Sequence, residues 1–338
     1  MSAEQLAELS DLFVVAAVLL YVFAMVAFAF ELAFGRARPN KAEADRVPVT
    51  VGAPEADAAA GMAAWEAAKA DAAGEVHFAV KADSGAYGAM PVRSGRSSGA
   101  AKAGLVALGL AWLGWAANLA AIATRGLSAD RWPWGNMYEF VVAICFAAVT
   151  AFLGTQLRHN VRFLGAFVMV TAALGLGFAV KVFYTAAGPV VPALNSYWIA
   201  IHVTAAILAT GLLTLAGVSG ILYLLRGDGM SRLPARADLE RVAHRAIVLA
   251  FPLWTFAVIA GALWADRAWG RYWGWDPKEV WSFITWVAYA AYLHARVTAG
   301  WRGKAATIVQ LVAFGCLLFN LIGVNLFIQG LHGYADVN

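Results

Sequence analysis

The chain has 338 residues, of which 62% are apolar (AVILMFWYC) and only 14% charged, with a formal net charge of +4. An ordinary globular domain is nearer half apolar and a quarter charged, so a disordered chain, a nucleic-acid-binding domain and a typical soluble enzyme are excluded. With a mean hydropathy of +0.67, the remaining class is a polytopic membrane protein in a lipid bilayer.

Runs of about 20 apolar residues, enough to cross a hydrocarbon core, predict eight spans at 12–34, 103–123, 137–155, 163–181, 197–225, 246–264, 279–295 and 305–328. The fold class is therefore all-α, with about eight transmembrane helices. Residues 1–11 carry no Lys or Arg, the first apolar run is too long for a signal peptide, and no small-residue cleavage site follows. A retained span is expected. Segment 35–102 is rich in Ala, Gly and Ser, with nine basic and eight acidic residues, and predicts a cytoplasmic low-complexity insert without a packed core. Val47, Val49 and Val51 alternate as a short strand would, and His77 is expected to be solvated. The organisation is thus a first transmembrane helix (1–34), an insert (35–102) and a seven-helix domain (103–338).

Basic residues set the orientation. The connectors after odd-numbered spans carry nineteen of the 25 Lys and Arg, and the other side carries Arg125, Arg131, Lys181, Arg267, Arg271 and Lys278. This bias puts the basic connectors in the cytoplasm and both termini outside. Cys145 and Cys316 lie in separate apolar runs, which excludes a CxxC redox pair and a disulfide framework.

His159, beside Arg158 and Arg162, and His244, between Arg241 and Arg245, fall in basic inner connectors and read as solvated, headgroup-level residues. His202 lies about five residues inside the outer end of span five, and His332 follows span eight on the same outer side. An ionisable residue near hydrocarbon is a functional candidate. On topology alone, His202 is either a ligand or a polar residue bonded to a neighbouring helix, and His332 is either a ligand or a tail residue in water. His294, near the inner end of span seven, lies 18 residues beyond Asp276, or roughly 27 Å along a helix.

The strongest signal is external. Six of the fourteen tryptophans fall in the 23 residues from Trp264 to Trp286, within Trp264-Ala-Asp-Arg-Ala-Trp269-Gly-Arg-Tyr272-Trp273-Gly-Trp275-Asp276-Pro277-Lys278-Glu279-Val-Trp281. An interfacial aromatic belt accounts for Trp264 and Trp281. Trp269, Tyr272, Trp273 and Trp275, crowded with two glycines, suit a shelf for a flat apolar ligand better. Asp276, Pro277 and Glu279 stand where an N-cap, N1 and N3 stand in a capping box. The two carboxylates therefore have a structural role, and no acid–base catalyst is expected.

These residues closely resemble the Trp-rich WWD signature of haem-handling membrane proteins, and more narrowly the CcsA/ResC-type subunit of system II cytochrome c biogenesis. Trp132-Pro-Trp-Gly-Asn136-Met-Tyr138-Glu139, Ser196-Tyr-Trp198-Ile-Ala-Ile-His202-Val and Gly330-Leu-His332-Gly-Tyr334 agree with that family. The resemblance covers about 103–338. It implies a holocytochrome c synthase, or haem lyase, that attaches haem b to the CxxCH motif of apocytochrome c through thioether bonds, haem being a non-covalently bound substrate. It places the external iron ligands at His202 and His332. It places a membrane-embedded iron ligand at His294, opposite a histidine of a CcsB/ResB-type partner subunit. Trp264, Trp269, Tyr272, Trp273, Trp275, Asp276 and Trp281 would contact or position the macrocycle, and the substrate's own histidine would displace one enzyme ligand. Arg131, Arg267, Arg271 and Lys278 are candidates for the propionates on charge and side alone. Thiol-reducing thioredoxin-like proteins are further expected partners, and the expected site is the extracytoplasmic face of a bacterial plasma membrane rather than a thylakoid.

Three other classes were weighed. An electron-transferring cytochrome b needs paired histidines on each of two helices, and here each helix has at most one. A solute transporter is expected to show two similar halves, and no repeat is visible. A haem exporter without synthase activity needs the same haem sites and remains the alternative.

Overall fold

The computed structural model describes residues 1–35, 98–190, 194, 196–226 and 233–332. It contains α1 (Ala3–Phe34), α2 (Ser98–Ala129), α3 (Met137–Arg158), α4 (Gly165–Val182), α5 (Tyr197–Leu225), α6 (Arg236–Trp269), α7 (Pro277–Val297) and α8 (Gly303–Leu318). A five-residue π turn, Phe319–Gly323, and a last helical turn, Val324–Phe327, continue α8. No strand occurs among the described residues. Residues 36–97, nearly all of the expected insert with Val47, Val49, Val51 and His77, lie outside them. The last residues of 35–102 belong to α2, which starts at Ser98.

Seven of the helices are long and apolar enough to cross a membrane, and the chain is a multi-pass membrane protein. The exception among the eight expected spans is α7. It is a 21-residue helix, but Lys278, Glu279, His294 and Arg296 stand at its ends and Trp281, Trp286, Tyr289 and Tyr292 between them. Several helices outrun their predicted spans. Hydropathy marks only the apolar part of a helix, and α6, for example, continues through Arg236–Glu240 at one end and Asp266–Trp269 at the other.

Between lipid-embedded helices the hydrophobic effect supplies little drive, because acyl chains are as apolar as leucine, so association relies on close packing and interhelical hydrogen bonds. Both are present. α1 and α2 run antiparallel: the Tyr21 ring sits over Gly114, and the Ser10 hydroxyl donates to the Ala121 carbonyl at 2.9 Å. Phe28, two turns along the same buried face of α1, lies over Gly165 at the start of α4, its ring edge-on to Phe152 of α3 at 5.9 Å. α5 is the central helix. A β-carbon on Gly211 would stand 2.6 Å from the Ala147 backbone of α3, and one on Gly217 would stand 2.6 Å from the Phe314 ring of α8. Gln310 of α8 then donates to the Ala216 carbonyl at 2.6 Å. The opposite surfaces are apolar: Leu12, Val15, Leu19, Phe23, Val26 and Phe30 form an exposed stripe along α1. Such a stripe is costly in water and suited to lipid.

Gly211→Ala forces two backbones apart and is expected to destabilise the bundle by about 1–3 kcal/mol. Gly177→Ala, where a β-carbon meets nothing within 4 Å, is expected to be neutral. Thermal unfolding of the two purified variants in detergent checks this, and equal midpoints would refute the close-packing account of α3 and α5.

Candidate functional site

The tryptophan-rich stretch is a helix end followed by a tight turn, not an extended loop. Trp264 and Trp269 belong to the last two turns of α6, and Gly270, with φ of +70°, ends the helix in the left-handed conformation usual for such caps. Seven residues later, at Pro277, α7 begins. Trp275 has φ of +57°, a conformation that costs a non-glycine residue energy and persists only where its surroundings enforce it. It delivers Asp276 to the head of α7, and its own ring stays 69% exposed, edge-on to Trp273 at 5.8 Å.

The capping box forms as expected. Asp276 caps α7, and the Glu279 carboxylate accepts from the Gly274 and Asp276 amides at 2.8 and 3.0 Å. Asp276 also does more. Its Oδ1 accepts from the Leu331 amide at 2.6 Å and its Oδ2 from His332 Nδ1 at 2.7 Å. One carboxylate therefore ties the start of α7 to the chain that follows α8. Gly330 makes room for it, since a β-carbon there would stand 2.7 Å from Oδ1. Burial alone would raise the Asp276 carboxyl, but the hydrogen bonds from His332, Leu331 and Lys278 outweigh it and hold the group below the usual carboxylate range.

His202 is held as firmly. Its Nδ1 lies 2.7 Å from the Ala257 carbonyl of α6. A carbonyl only accepts, so Nδ1 carries the proton and Nε2 the lone pair. Gly261, one turn along, lets the imidazole lie flat on α6: a β-carbon would stand 2.8 Å from its ring. Trp264, buried, stacks parallel to His202 with centroids 6.2 Å apart and meets His332 and Trp269 edge-on at 5.7 and 4.8 Å. Trp269 in turn packs edge-on against His332 at 4.9 Å.

His202, His332, Trp264, Tyr272 and Trp273 line one cavity of about 150 Å³ that is open at its mouth. Its remaining wall is mostly apolar and comes from α3, α5, α6 and α8, with Phe140, Val203, Trp254 and Leu317 among its members. Trp269 and Asp276 support this wall from behind rather than line it. Trp275 points away from it, and Trp281 packs on Phe319 at 4.3 Å, so neither lines the cavity. His294 lies exposed at the far end of α7, outside the cavity. At that end too, His159 contacts Arg245 at 3.0 Å and His244 contacts Tyr292 at 3.4 Å.

The cavity residues that the sequence does not single out include Trp134, Ser282 and Asn320. A polar residue within an apolar span is itself a signal, and Asn320 is one. Trp134 is set by the motif around it. Glu139, buried, accepts from Arg125 at 3.1 Å, from both terminal nitrogens of Arg131 at 2.8 and 3.0 Å and from the Gly135 amide at 2.7 Å. This knot fixes the turn before α3 and leaves the Trp134 indole on the cavity wall.

Comparison with known proteins covers this same region. Residues 134–332 match the family described as Cytochrome C assembly protein. That segment begins and ends on cavity residues, Trp134 and His332, and contains every other residue that lines the cavity. Named relatives are also similar over most of the helical region. The cytochrome c biogenesis protein CcsA of Gloeobacter violaceus is 32% identical over 279 residues, covering 63% of this chain and 81% of the relative. That of Synechococcus elongatus is 32% identical over 291 residues, covering 69% and 88%. That of Trieres chinensis is 30% identical over 253 residues, covering 63% and 81%.

Asparagine caps helices well, so the sequence suggests that Asp276→Asn is mild. The geometry reverses this expectation, because an amide presents only one acceptor where Asp276 uses two. The variant is expected to lose about 1–2 kcal/mol at neutral pH. The pH dependence has a definite sign. A carboxylate held below its unfolded pKa of about 3.9 stabilises the fold above that pH, and the contribution disappears as pH falls through the lower folded value. Melting midpoints between about pH 6 and pH 3 should therefore fall less steeply for Asp276→Asn than for the wild type, and parallel curves would remove Asp276 as a clamp.

Proposed function

The chain belongs to the cytochrome c assembly protein family, and from that premise we propose that it is the haem-presenting membrane subunit of a system II cytochrome c synthase. Haem b is the substrate. It occupies the cavity between His202 and His332, whose imidazoles take the two axial positions of the iron. The observation that carries this reading is their convergence. Two histidines 130 residues apart in the chain line one cavity, each with Nδ1 engaged by an acceptor. Such second-shell bonds orient histidines that ligate metals and raise their basicity.

The chemistry asks little of the protein beyond placement. Each thiol of the CxxCH motif adds across a haem vinyl group, sulfur to one carbon and hydrogen to the other, so no external oxidant is needed. Holding the vinyl edge at the mouth of the cavity gives a docked thiol a high effective concentration, and the reactivity belongs to the cofactor-like substrate itself. The Lys and Arg bias supports an outward-facing cavity with both termini outside. His294, exposed on α7, is suited to a second, membrane-embedded haem completed by a histidine of a CcsB/ResB-type partner. Thioredoxin-like proteins would keep the apocytochrome thiols reduced.

Purified protein is expected to carry haem with a six-coordinate, low-spin, bis-histidine spectrum. His202→Ala or His332→Ala should abolish or weaken that spectrum, with partial recovery on adding imidazole, and His159→Ala and His244→Ala should leave it unchanged. Gly261→Ala, which presses a methyl group on the His202 ring, should lower haem affinity about tenfold, as disturbing an outer-shell partner does. A normal spectrum in the His202/His332 double variant would end the ligand assignment.

Synthase and exporter are separated by reconstitution. With apocytochrome, haem and the partner subunit in vesicles, covalent haem on the CxxCH motif is expected, and it should fall to background without this chain. Haem release with no thioether formed would leave an exporter.

A further inference from the structure

The cavity that the proposed function assigns to haem is mostly apolar, and one of its polar corners holds a cation. There Lys278 Nζ donates to the Asn320 carbonyl at 2.7 Å, and Asn320 Nδ2 lies 3.0 Å from Ser282 Oγ. All three residues line the cavity. The π turn makes this possible. The Val324 amide bonds to the Phe319 carbonyl instead of to that of Asn320, and the Asn320 carbonyl receives the lysine. π turns within α-helices recur at functional sites because they redirect groups in this way.

The ammonium group carries three donors, and the Asn320 carbonyl takes one. Among the described residues no carboxylate lies within ion-pair distance of it. Asp276 is engaged by His332, Leu331 and the Lys278 amide. Glu279 is engaged by the Gly274 and Asp276 amides. Two further polar atoms on the cavity wall are buried without a partner: Asn320 Oδ1 and Trp134 Nε1. The ammonium and the Trp134 indole N–H are donors on this wall that lack an acceptor, whereas Asn320 Oδ1 is an acceptor that lacks a donor.

The other propionate candidates of the sequence stand elsewhere. Arg131 is bound to Glu139, Arg267 lies over the Tyr197 ring at 5.2 Å, and Arg271 folds over Gly274. None of them lines the cavity. We propose that Lys278 is the anion-holding residue of this cavity and binds a carboxylate of the haem. Haem is apolar but for its two propionates, so one cation fixes the rotation of the ring, and with it which edge stands at the mouth. The assignment rests on the haem reading above.

The test compares haem with its dimethyl ester, which keeps the ring and iron but has no carboxylate. Both are titrated by Soret absorbance into wild type, Lys278→Met and Lys278→Arg. Lys278→Met is expected to weaken haem binding about tenfold while the low-spin spectrum persists, and Lys278→Arg is expected to bind within a few-fold of wild type. The ester should bind wild type about as weakly as haem binds Lys278→Met, and should lose nothing further in that variant, as a double-mutant cycle requires. If wild type binds ester and haem equally, or if Lys278→Met weakens both equally, Lys278 does not hold a carboxylate, and the haem reading stands. If wild type binds neither, both fall together.

Discussion

One carboxylate organises the functional end of the molecule. Asp276 closes the first turn of α7, accepts the backbone of Leu331 and orients the ring of His332. It anchors the segment after α8 to the bundle and, together with Trp264 and Trp269, holds the second histidine. The clamp itself depends on two backbone features. The left-handed Trp275 turns the chain into α7, and Gly330 admits the carboxylate. The strain at Trp275 is thus offset by four hydrogen bonds made at the next residue or to it.

This arrangement is permissible only where it stands. In hydrocarbon every backbone polar group needs an internal partner, and irregular segments are tolerated only where protein or a cavity surrounds them. The turn Gly270–Asp276, the turn before α3 and the π turn of α8 are the main breaks in regularity around the cavity. Each has its own carboxylate or cation: Glu279 and Asp276 for the first, Glu139 for the second, Lys278 for the third. The charged residues that a membrane protein can ill afford to bury are those that allow the helices to stop or bend beside the cavity.

Much of this was legible in the sequence because bilayer thickness imposes a length on every span and helix caps have a strict residue order. The eight helices, the Asp276–Glu279 box and the shared side of His202 and His332 follow from those two rules. What was not legible depended on tertiary neighbours. Trp269 looks like a loop residue because hydropathy falls before the helix ends, although Gly270 marks the true end. Trp275 is indistinguishable by composition from Trp273, but a positive φ turns it outward. Asn320 was visible as a polar residue in a span. Its meeting with Lys278 follows from a π turn that no local pattern announces.

The two histidines differ in how they are held, and on the proposed function this difference matters. His202 lies within a long helix, wedged against Gly261 and bonded to a main-chain carbonyl of a neighbouring helix. Both supports are parts of the packed bundle. His332 follows the last helical turn and depends on a side-chain carboxylate and two indole edges. A carboxylate partner makes an imidazole more basic, and His332 stands on the irregular segment beyond the last helical turn, whereas moving His202 requires α5 and α6 to separate. A ligand that must yield to the incoming histidine of a CxxCH motif should bind strongly but sit on a movable segment. His332 has both properties, and His202 supplies the fixed position against which the exchange takes place.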